Sequence, residues 1–460
     1  MSDDVNFGNF DDVTAEHQRD YVLRAVEERR VRMVRLWFTD VLGQLKSVAI
    51  SPVELDAAFD EGVQFDGSAI DGFSRIQESD VLAFPDPNSF QLMPASRSGH
   101  AEDVTARIYC DIANLDGTPF EGDPRQVLRR NLRRAAEAGF EFMCAPEVEY
   151  FYLASDNPDG PPEPLDEASY FDLTTFDETS DIRRRTIQRL ETSGIPVEYS
   201  FHEDAPSQHE IDLRYTDALG MADNVMALRM IVREVAVASG VHATFMPKPM
   251  EGVQGSGMHT HLSLWQGDTN AFYDADAEYG LSKVARAFIA GVLRHAREIT
   301  AVTNQLVNSY KRLVAGFEAP VHINWARNDR SALVRVPVPK QNKEAQGTRI
   351  EYRSIDPACN PYLAFSVILA AGLAGISGSY ELGDSMSSPT LNEGERSLSD
   401  GEFLPSNLAT ALDAMEGSAL VREALGEHIF EWFLRNKRAE WAAYRTHVSS
   451  FELQRYLKAW

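Results

Sequence analysis

The chain has 460 residues, 43% of them hydrophobic, and its 44 basic and 70 acidic residues give a formal net charge of -26. A chain of this length buries a sizeable core in several domains or one large fold, and its negative charge repels nucleic acid and anionic lipid. The longest apolar stretch, residues 364–376, is shorter than the roughly 20 residues that span a membrane. The acidic N-terminus lacks a secretory signal, and three scattered cysteines indicate neither a disulfide framework nor a thiolate zinc site. We therefore expect a cytoplasmic protein that binds neither nucleic acid nor membrane.

The first quarter of the sequence predicts an acidic tail, residues 1–16, followed by a small α+β domain, residues 17–118. Apolar residues recur among charges over residues 17–30, which indicates a short amphipathic helix. The β-rich run VRMVRLWF, a turn around Gly43 and the run QLKSVAI predict a hairpin. Short strands broken by proline and glycine follow as far as the predicted domain boundary.

A larger domain, residues 119–460, is predicted to begin with a helix. Asp123 has the character of an N-cap, Pro124 occupies the first helical position, and Gly139 ends the helix. The strand-like run EFMCAPEVEYFYL follows. A polar, turn-rich stretch at 384–402 is predicted to be an exposed excursion. Further helices are predicted around residues 180–193, 217–239, 281–301 and 361–376, the last of them capped at Asn360–Pro361.

Paired carboxylates are the first sign of chemistry. Glu147 and Glu149 lie two residues apart in a β-like run, so both point to one face of a sheet. A solvated strand face is the simpler explanation, but the apolar flanks indicate a buried strand, where an unpaired carboxylate costs several kcal/mol or more. A divalent cation would offset that cost. Glu203 and Glu210 flank a proline-containing loop, and Glu351 lies in another β-like segment.

Histidines and arginines extend this pattern. His259 and His261 share one strand face, although a lone histidine is more often structural than a ligand. Oxygen-rich ligation with one imidazole favours Mg²⁺ or Mn²⁺ over zinc. Five arginines, each of which alone would suggest a surface ion pair, together favour an anionic substrate and a nucleotide. They are Arg312, Arg330, Arg335, Arg349 and Arg353. Because the sequence lacks a GxxxxGK[ST] loop, the nucleotide site must have another architecture.

Seven motifs, in order along nearly the whole chain, resemble those of class I glutamine synthetases. They are FDGSAIDGF (65–73), PEVEYF (146–151), HEDAPSQHEIDLRY (202–215), KP followed by GSGMHTHLSL (248–264), NSYKRLVAGFEAP (308–320), RSALVRVP (330–337) and RIEYRSIDPACNPY (349–362). The resemblance implies an α+β fold, with a small β-grasp-like N-terminal domain and a large catalytic domain whose curved antiparallel sheet is flanked by helices. It also implies a homo-oligomer, a dodecamer of two stacked hexameric rings, with each active site between neighbouring subunits.

The implied activity is an ATP-dependent ligase reaction of nitrogen metabolism. Ammonia joins the γ-carboxylate of glutamate through γ-glutamyl phosphate, which gives glutamine, ADP and phosphate. ATP is a substrate, and each site holds two Mg²⁺ or Mn²⁺ ions. In family members a loop closes over the site and excludes water, and Glu318 lies in the corresponding loop here.

The resemblance also implies a role for individual residues. One metal would be held by Glu149, Glu203 and Glu210, and the other by Glu147, His259 and Glu351. Glutamate would be bound by Gln254, Gly255, Arg312 and Arg353, and ammonium by Tyr170, Glu203 and Glu318 with Asp66 of the neighbouring subunit, which takes the proton. ATP would contact Glu198, His261, Ser263 and Arg349, with Tyr215 near the adenine, while Arg330 and Arg335 neutralise the transferred phosphoryl group.

Several positions depart from the family pattern. Ala69 stands where a serine usually lines the ammonium pocket, and Gln254 replaces an asparagine that contacts glutamate. Phe201, Ser207 and Ala315 replace a usual histidine, glycine and proline. The lost hydroxyl widens the pocket, so a γ-glutamyl-amide ligase that uses an organic mono-, di- or polyamine is an alternative.

A third hypothesis, of another class, is a catalytically silent binding or regulatory subunit. It predicts the loss of metal ligands or of Arg353, and the sequence retains them. The sequence also bears on regulation, since it argues against one form found in the family and suggests another. Residues 384–402 lack the tyrosine that is adenylylated in some family members, and residues 72–80, with Arg75, resemble a shorter subtype that responds to glutamine by feedback.

Overall fold

The computed structural model describes residues 8–71, 80–93, 104–157, 160–173, 178–385 and 402–460. The predicted excursion at 384–402 and the segment with Arg75 lie almost wholly outside these ranges. Within them, no helix has both the length and the apolar character needed to cross a membrane.

The N-terminal part contains a sheet in the order β2-β1-β6-β4-β3, with β5 paired to β6. The predicted hairpin is confirmed, because β1 and β2 pair antiparallel. β1 and β6 pair in parallel. The strands are β1 (Met33–Thr39), β2 (Leu45–Ile50), β3 (Val63–Asp66), β4 (Asp80–Pro85), β5 (Gln91–Met93) and β6 (Thr105–Asn114).

The larger part contains a second sheet in the order β14-β15-β16-β12-β7-β9-β8, to which β10 and β11 add at β7 and β13 at β12. Its pairs are antiparallel except for β14 and β15, which are parallel. The strands are β7 (Glu141–Leu153), β8 (Val197–His202), β9 (Gln208–Leu213), β10 (Thr216–Asp217), β11 (His242–Thr244), β12 (Thr260–Gln266), β13 (Thr269–Asn270), β14 (Trp325–Arg327), β15 (Val334–Val336) and β16 (Ile350–Tyr352).

The helices pack around these two sheets. They are α1 (Gly8–Glu28), α2 (Leu55–Glu61), α3 (Ser68–Asp71), α4 (Pro124–Glu137), α5 (Glu178–Thr192), α6 (Ala218–Ala238), α7 (Lys283–Arg294), α8 (Ala296–Thr303), α9 (Ser309–Arg312), α10 (Glu344–Gly347), α11 (Pro361–Ser377), α12 (Leu408–Glu416), α13 (Ala419–Leu425), α14 (Glu427–Thr446) and α15 (Ser450–Tyr456). The α+β fold is therefore confirmed.

Two helices differ from their predictions. The first begins at Gly8 instead of residue 17, so the predicted acidic tail is helical from Gly8 onward. The helix predicted around 281–301 is two helices that meet at His295, whose backbone departs from helical angles (φ -98, ψ 6). Because neither proline nor glycine marks that position, the sequence carries no signal for the break.

Helix α11 forms the centre of the larger core. Asn360 caps it by accepting hydrogen bonds from the backbone N–H groups of Tyr362 and Leu363. A Cβ atom at Gly372 would lie 2.1 Å from the ring of Phe288, and one at Gly375 would lie 2.0 Å from the backbone oxygen of Ala287. Glycine is needed at both positions because α7 packs directly against α11, which explains the glycines in the most apolar stretch of the sequence.

A buried ion network joins the two parts of the chain. Arg125, at the start of α4, lies 2.7 Å from Asp86 and 2.6 Å from Asp111 of the N-terminal part. It also lies 2.9 Å from Asp223 of α6, which accepts a hydrogen bond from the hydroxyl of Tyr362 at 2.6 Å. The network fixes the N-terminal sheet against the helices of the larger part.

Candidate active site

A cleft of about 980 Å³ opens on the face of the large sheet formed by β7, β8, β9 and β12. It brings together side chains from Glu147 to Phe403, which are distant in the sequence. The predicted site residues along its walls are Glu147, Glu149, Tyr170, Glu203, Glu210, Gln254, Gly255, His259, His261, Arg312, Glu318, Arg330, Arg335, Arg349 and Arg353. A second cavity, of about 1080 Å³, lies between the β1–β2 hairpin and α6 and contains none of the predicted site residues.

Strand β7 supplies the floor of the cleft. Its alternation places Glu147 and Glu149 on one face while Val148 points into the core. The shared face predicted from the sequence is therefore confirmed. On the neighbouring strand, Glu210 is the register partner of Glu149 and Asp212 that of Glu147, so four carboxylates converge on adjacent strands.

The first group suited to a metal consists of Glu147, His259 and Glu351, whose ligand atoms all lie within 4.8 Å of one another. His259 Nδ1 lies 3.4 Å from Glu147 Oε2 and 4.0 Å from Glu351 Oε1. Burial, aided by the charge of Arg353, lowers the pKa of His259 to about 4. The imidazole is therefore neutral at pH 7 and keeps the lone pair that metal coordination requires. Two carboxylates and one imidazole form a donor set that suits a divalent cation.

A second group contains Glu147, Glu210 and Asp212. Burial and the charges of Asp212, Glu147 and Glu149 raise the pKa of Glu210 well above its usual value. Burial and the charge of Glu147 raise the pKa of Asp212 to about 7. Glu210 is also the register partner of Glu149, and the charges of Glu149 and Glu203 act on it, so the group adds Asp212 to the neighbours expected for Glu210. Asp212 was not predicted, although its spacing of two from Glu210 on a strand is the same signal that identified Glu147 and Glu149.

Glu149 and Glu203 lie close enough to influence each other's ionisation. Burial raises the pKa of Glu149 to about 8, and the charge of Glu203 adds to the shift. Burial raises the pKa of Glu203 to about 7, with contributions from the charges of Asp204 and Glu318. Glu149 is held in place by hydrogen bonds from Gln208 Nε2 (2.8 Å) and from the backbone N–H of Gly257 (3.0 Å). A bound cation would relieve the repulsion in such a group.

The arginines form the opposite wall of the cleft. Glu351, fully buried on β16, pairs with both Arg335 and Arg353. Arg312 is buried and donates to the backbone oxygen of Ser354 at 2.7 Å. A Cβ atom at Gly257 would lie 2.4 Å from Arg312 Nη2, so the glycine of the GSG motif lets the backbone approach this guanidinium.

The histidine at 261 links the carboxylates to the arginines. Its Nε2 donates to Glu147 Oε1 at 2.7 Å, and Arg349 Nε donates to its Nδ1 at 3.2 Å. The predicted ATP ligands His261 and Arg349 therefore contact each other and touch the carboxylate cluster. This arrangement presents cationic and hydrogen-bonding groups to an anion that lies beside the carboxylates.

The mouth of the cleft is formed by two loops. Glu318 adopts a left-handed backbone conformation (φ 56). Burial raises the pKa of Glu318, and the charge of Asp204 adds to the shift. On the other side, Arg330 Nη1 donates to the hydroxyl of Tyr170 at 3.4 Å. The ring centroids of Phe171 lie 4.1 Å from Tyr170 and 4.7 Å from Phe201, so three aromatic rings line this end. Phe171 was not predicted as a site residue, and a loop position carries no periodic signal by which to find it.

Five predicted residues do not line the cleft. Glu351 is fully buried beneath Arg335 and Arg353, with which it pairs. Asp66 lies at the end of β3 in the N-terminal sheet, where its Oδ1 accepts from the backbone N–H of Ser68 at 3.0 Å. Tyr215 is 57% exposed, just beyond β9. Ser263 accepts a hydrogen bond from Trp265 Nε1 at 3.0 Å. Glu198 is exposed on β8. Its charge raises the pKa of Asp212, but less than burial and the charge of Glu147 do.

Comparison with known families explains this arrangement. The sequence pattern of the glutamine synthetase catalytic domain matches residues 121–456, and that of the glutamine synthetase β-grasp domain matches residues 30–115. The chain belongs to the glutamine synthetase family. Members of this family are ligases that use ATP and divalent metal ions, and the donor groups of the cleft fit such ions. The fold expected from the resemblance, a β-grasp domain followed by a catalytic domain, is thereby confirmed.

Individual proteins that are similar to this chain support the same family assignment. A glutamine synthetase of Mycolicibacterium smegmatis is 54% identical over 445 residues, which cover 96% of this chain and 99% of the relative. A glutamine synthetase of Methanosarcina mazei is 46% identical over 443 residues, 95% of this chain and 97% of the relative. Among solved structures, one described as apo GmaS without ligand has a TM-score of 0.83 at 33% identity and covers 95% of this chain and 99% of its own.

Proposed function

We propose that this chain uses ATP to join ammonia to the γ-carboxylate of glutamate, which gives glutamine, ADP and phosphate. The observation that supports it best is the cleft itself. Carboxylates for divalent cations, Glu147 and Glu351 among them, lie next to arginines suited to phosphate and carboxylate groups. The 54% identity to a glutamine synthetase over nearly the full chain supports the same reaction.

Two divalent ions, Mg²⁺ or Mn²⁺, complete the proposed site. One is assigned to Glu147, His259 and Glu351, whose ligand atoms lie within 4.8 Å of one another. The other is assigned to Glu149, Glu203 and Glu210, with Asp212 as an additional candidate ligand. When bound, the ions neutralise phosphate oxygens and the converging carboxylates.

The proposed phosphoryl transfer depends on the arginine wall. A γ-carboxylate oxygen of glutamate bonds to the γ-phosphorus of ATP, the bond from that phosphorus to the bridging oxygen breaks, and ADP leaves. Arg312 and Arg353, with Gln254 and Gly255, are assigned to glutamate. Arg335, on β15 beside Glu351, and Arg330, at the mouth, are assigned to the charge that develops on the transferred group.

ATP itself is assigned to the residues around His261 and Arg349. Their mutual hydrogen bond orients both groups before the nucleotide arrives. The predicted contacts of Glu198 and Ser263, and of Tyr215 with the adenine, complete this part of the proposal.

The second step forms the amide. Ammonium is held by Tyr170, Glu203 and Glu318, and one of its protons passes to Asp66 of the neighbouring subunit. The nitrogen then attacks the acyl carbon of γ-glutamyl phosphate, the carbon–oxygen bond to phosphate breaks, and phosphate leaves with the second proton that the nitrogen loses. The loop with Glu318 excludes water, which would otherwise hydrolyse the acyl phosphate.

The position of Asp66 bears on assembly. Because Asp66 lies in the N-terminal sheet and does not line the cleft of its own chain, its proposed role needs a second copy. We propose a homo-oligomer, a dodecamer, in the cytoplasm, that serves nitrogen metabolism. The proposed boundary between the two domains remains near residue 118.

The direct test is phosphate release from ATP with glutamate and Mg²⁺. Ammonium is compared with methylamine, ethanolamine, putrescine and spermine, and the product is identified by mass. We expect the fastest turnover with ammonium and a product with the mass of glutamine. Turnover with an organic amine alone would replace the proposal with a γ-glutamyl-amide ligase.

The second candidate acceptor, an organic amine, has one specific observation in its favour. The rings of Tyr170, Phe171 and Phe201 give the acceptor end an aromatic lining, which suits an alkylammonium ion. The 54% identity to a protein named glutamine synthetase favours ammonia.

A further inference from the structure

A hydrogen-bonded cluster behind the cleft has no part in the proposed reaction. It joins the segment 160–173, which carries Tyr170, to the β8–β9 hairpin, which carries Glu203. Its central residues are Asp166 on the segment and Ser207 on the hairpin. Neither belongs to the predicted site.

Ser207 contacts the segment three times. Its hydroxyl oxygen accepts hydrogen bonds from the backbone N–H groups of Leu165 (2.6 Å) and Asp166 (3.0 Å). Its own backbone N–H donates to Asp166 Oδ1 at 2.8 Å. Ser207 is fully buried, so these bonds are shielded from water. Two backbone donors of the segment therefore depend on a single hydroxyl group.

The backbone of Ser207 is unusual. Its φ of 61 lies in the left-handed region, which glycine adopts freely and other residues seldom do. Serine at this position is strained, yet it supplies a hydroxyl that glycine lacks. The surrounding bonds hold the strained conformation.

Asp166 extends the contact toward the cleft. Its carboxylate also accepts from His202 Nε2 at 3.0 Å and from the hydroxyl of Thr179 at 2.9 Å. His202 Nδ1 donates to the backbone oxygen of Glu203 at 2.7 Å, and the backbone N–H of Phe171 donates to the backbone oxygen of His202 at 3.0 Å. The chain of contacts thus ends at residues directly beside Tyr170 and at Glu203.

We propose that Ser207 and Asp166 are positioning residues: they clamp the segment 165–171 to the β8–β9 hairpin and so set the placement of Tyr170 relative to Glu203. The kinetic consequence rests on the proposed function, because Tyr170 and Glu203 are the groups assigned to the acceptor. A small displacement of either group would weaken acceptor binding while the nucleotide end of the cleft stays unchanged.

Two substitutions separate the hydroxyl group from the backbone strain. Ser207→Ala keeps the Cβ atom and the left-handed strain but removes both acceptor bonds. Ser207→Gly removes the same bonds and also relieves the strain. The matched control is Ser366→Ala, since Ser366 is a buried serine within α11 whose hydroxyl donates to the backbone oxygen of Tyr362, away from the cleft.

The first readout needs no activity. Hydrogen–deuterium exchange, followed by mass spectrometry of peptides that cover residues 160–173, reports on the clamped segment. Both Ser207 variants should exchange there about tenfold faster than the unaltered chain or the control, with peptides of α11 unchanged. Unchanged exchange in both variants would overturn the clamp.

The second readout compares the effect of each substitution on the KM for ammonium and on the KM for ATP. In both Ser207 variants the KM for ammonium should rise about tenfold or more, with the KM for ATP unchanged. An equal rise in the KM for ammonium and the KM for ATP would contradict the proposal, because it would indicate a general loosening of the structure. A defect confined to Ser207→Ala would also contradict it, because it would indicate backbone strain as the cause. If the unaltered chain makes no glutamine from ammonium, the proposed function fails, while the exchange measurement still decides on the clamp.

Discussion

Two regions of this chain bury carboxylates, and they differ in how the charge is neutralised. At the boundary between the two parts, Arg125 and Arg129 surround Asp86 and hold its pKa below the usual value, although burial alone would raise it. In the cleft, burial and neighbouring carboxylates raise the pKa of Glu149 to about 8. The arginine wall of the cleft does not reverse this shift.

The difference separates a structural site from a functional one. The boundary network supplies its own counter-charges, so it is complete without any ligand and stabilises the fold. The cleft holds more negative charge than its side chains neutralise, so binding of cations from solution stabilises it. Three neighbouring carboxyl groups with raised pKa values, Glu149, Glu203 and Glu210, and not burial alone, mark the second kind of site here.

The largest effect is expected at the boundary network. Arg125→Met leaves the buried carboxylates of Asp86 and Asp223 without their main partner, and the free energy of unfolding should fall by about 3–5 kcal/mol. Urea denaturation followed by circular dichroism measures it. Arg133→Met, an exposed arginine on the same helix, should change little. Equal stabilities of the two variants would show that the network is not structural.

The next effect is expected in the cleft and concerns activity, not stability. Glu147→Gln removes one charge from both carboxylate groups, and kcat should fall by about 100-fold or more while the fold is kept. Phosphate release at saturating Mg²⁺ measures kcat, and circular dichroism checks the fold. Glu141→Gln, at the exposed start of the same strand, is the control. Full activity of Glu147→Gln would remove Glu147 from the proposed site.

A matched pair of substitutions sharpens the role of the arginine wall. Arg335→Lys keeps a positive charge but loses the planar fork, so kcat should fall by about tenfold or more, with a smaller effect on the KM for glutamate. Arg327→Lys, on the adjacent strand β14 and outside the cleft, should leave both constants unchanged. Steady-state kinetics of both variants test this. If Arg335→Lys has the same kcat and KM as Arg327→Lys, the assignment of Arg335 to phosphoryl transfer is contradicted.

Glu149 and Glu203 in the cleft and Asp86 at the boundary should also respond to pH with opposite sign. The folded pKa values of Glu149 and Glu203, about 8 and about 7, exceed the usual 4.5, so in the folded metal-free protein these two groups bind more protons than in the unfolded chain between these values. Its free energy of unfolding should therefore fall as pH rises from about 5 to about 8. Saturating Mg²⁺ should weaken this fall, because metal binding displaces the protons.

The contribution of Asp86 runs the other way. Since its folded pKa is lowered, it stabilises the protein above its usual pKa of 3.8 and loses that effect as pH falls through the folded value. Urea denaturation at a series of pH values, with and without Mg²⁺, separates the two regions. A Mg²⁺-independent profile between about pH 5 and about pH 8 would contradict the role of the cleft carboxylates.

The smallest effect is expected at a surface network of similar composition. Arg438, whose side chain is partly exposed, pairs at 2.7 Å with Asp413 and Glu416, whose side chains are largely exposed. Arg438→Ala should lower the free energy of unfolding by less than about 1 kcal/mol, because solvent screens the pairs. Urea denaturation compares the loss in free energy of unfolding in Arg438→Ala with the loss in Arg125→Met. A much smaller loss in Arg438→Ala would show that burial, and not the number of ion pairs, determines the stabilisation.

Local patterns predicted much of this molecule. The two-residue spacing in β7 identified the shared face of Glu147 and Glu149, and the Asp123–Pro124 and Asn360–Pro361 pairs identified the starts of α4 and α11. These signals lie within one element, where the period of the chain determines which side chains point together.

Contacts between distant elements could not be predicted in this way. The cluster of Asp166, His202 and Ser207 joins a loop to a hairpin about forty residues away, as the spacing of 41 between Asp166 and Ser207 shows, and no periodicity relates them. The break between α7 and α8 at His295 lacks a proline or glycine. The family resemblance supplied the list of site residues, but the place of Asp212 beside Glu147 and Glu210 became visible only from the register of β7 and β9.

The most direct test of the ligase account follows oxygen atoms. Glutamate labelled with ¹⁸O in its side-chain carboxylate is incubated with ATP, ammonium, Mg²⁺ and the protein, and the released phosphate is analysed by mass spectrometry. Because the account transfers a phosphoryl group to a γ-carboxylate oxygen, which leaves with phosphate, one ¹⁸O atom should appear in each phosphate formed. Phosphate free of label, released together with glutamine, would contradict it.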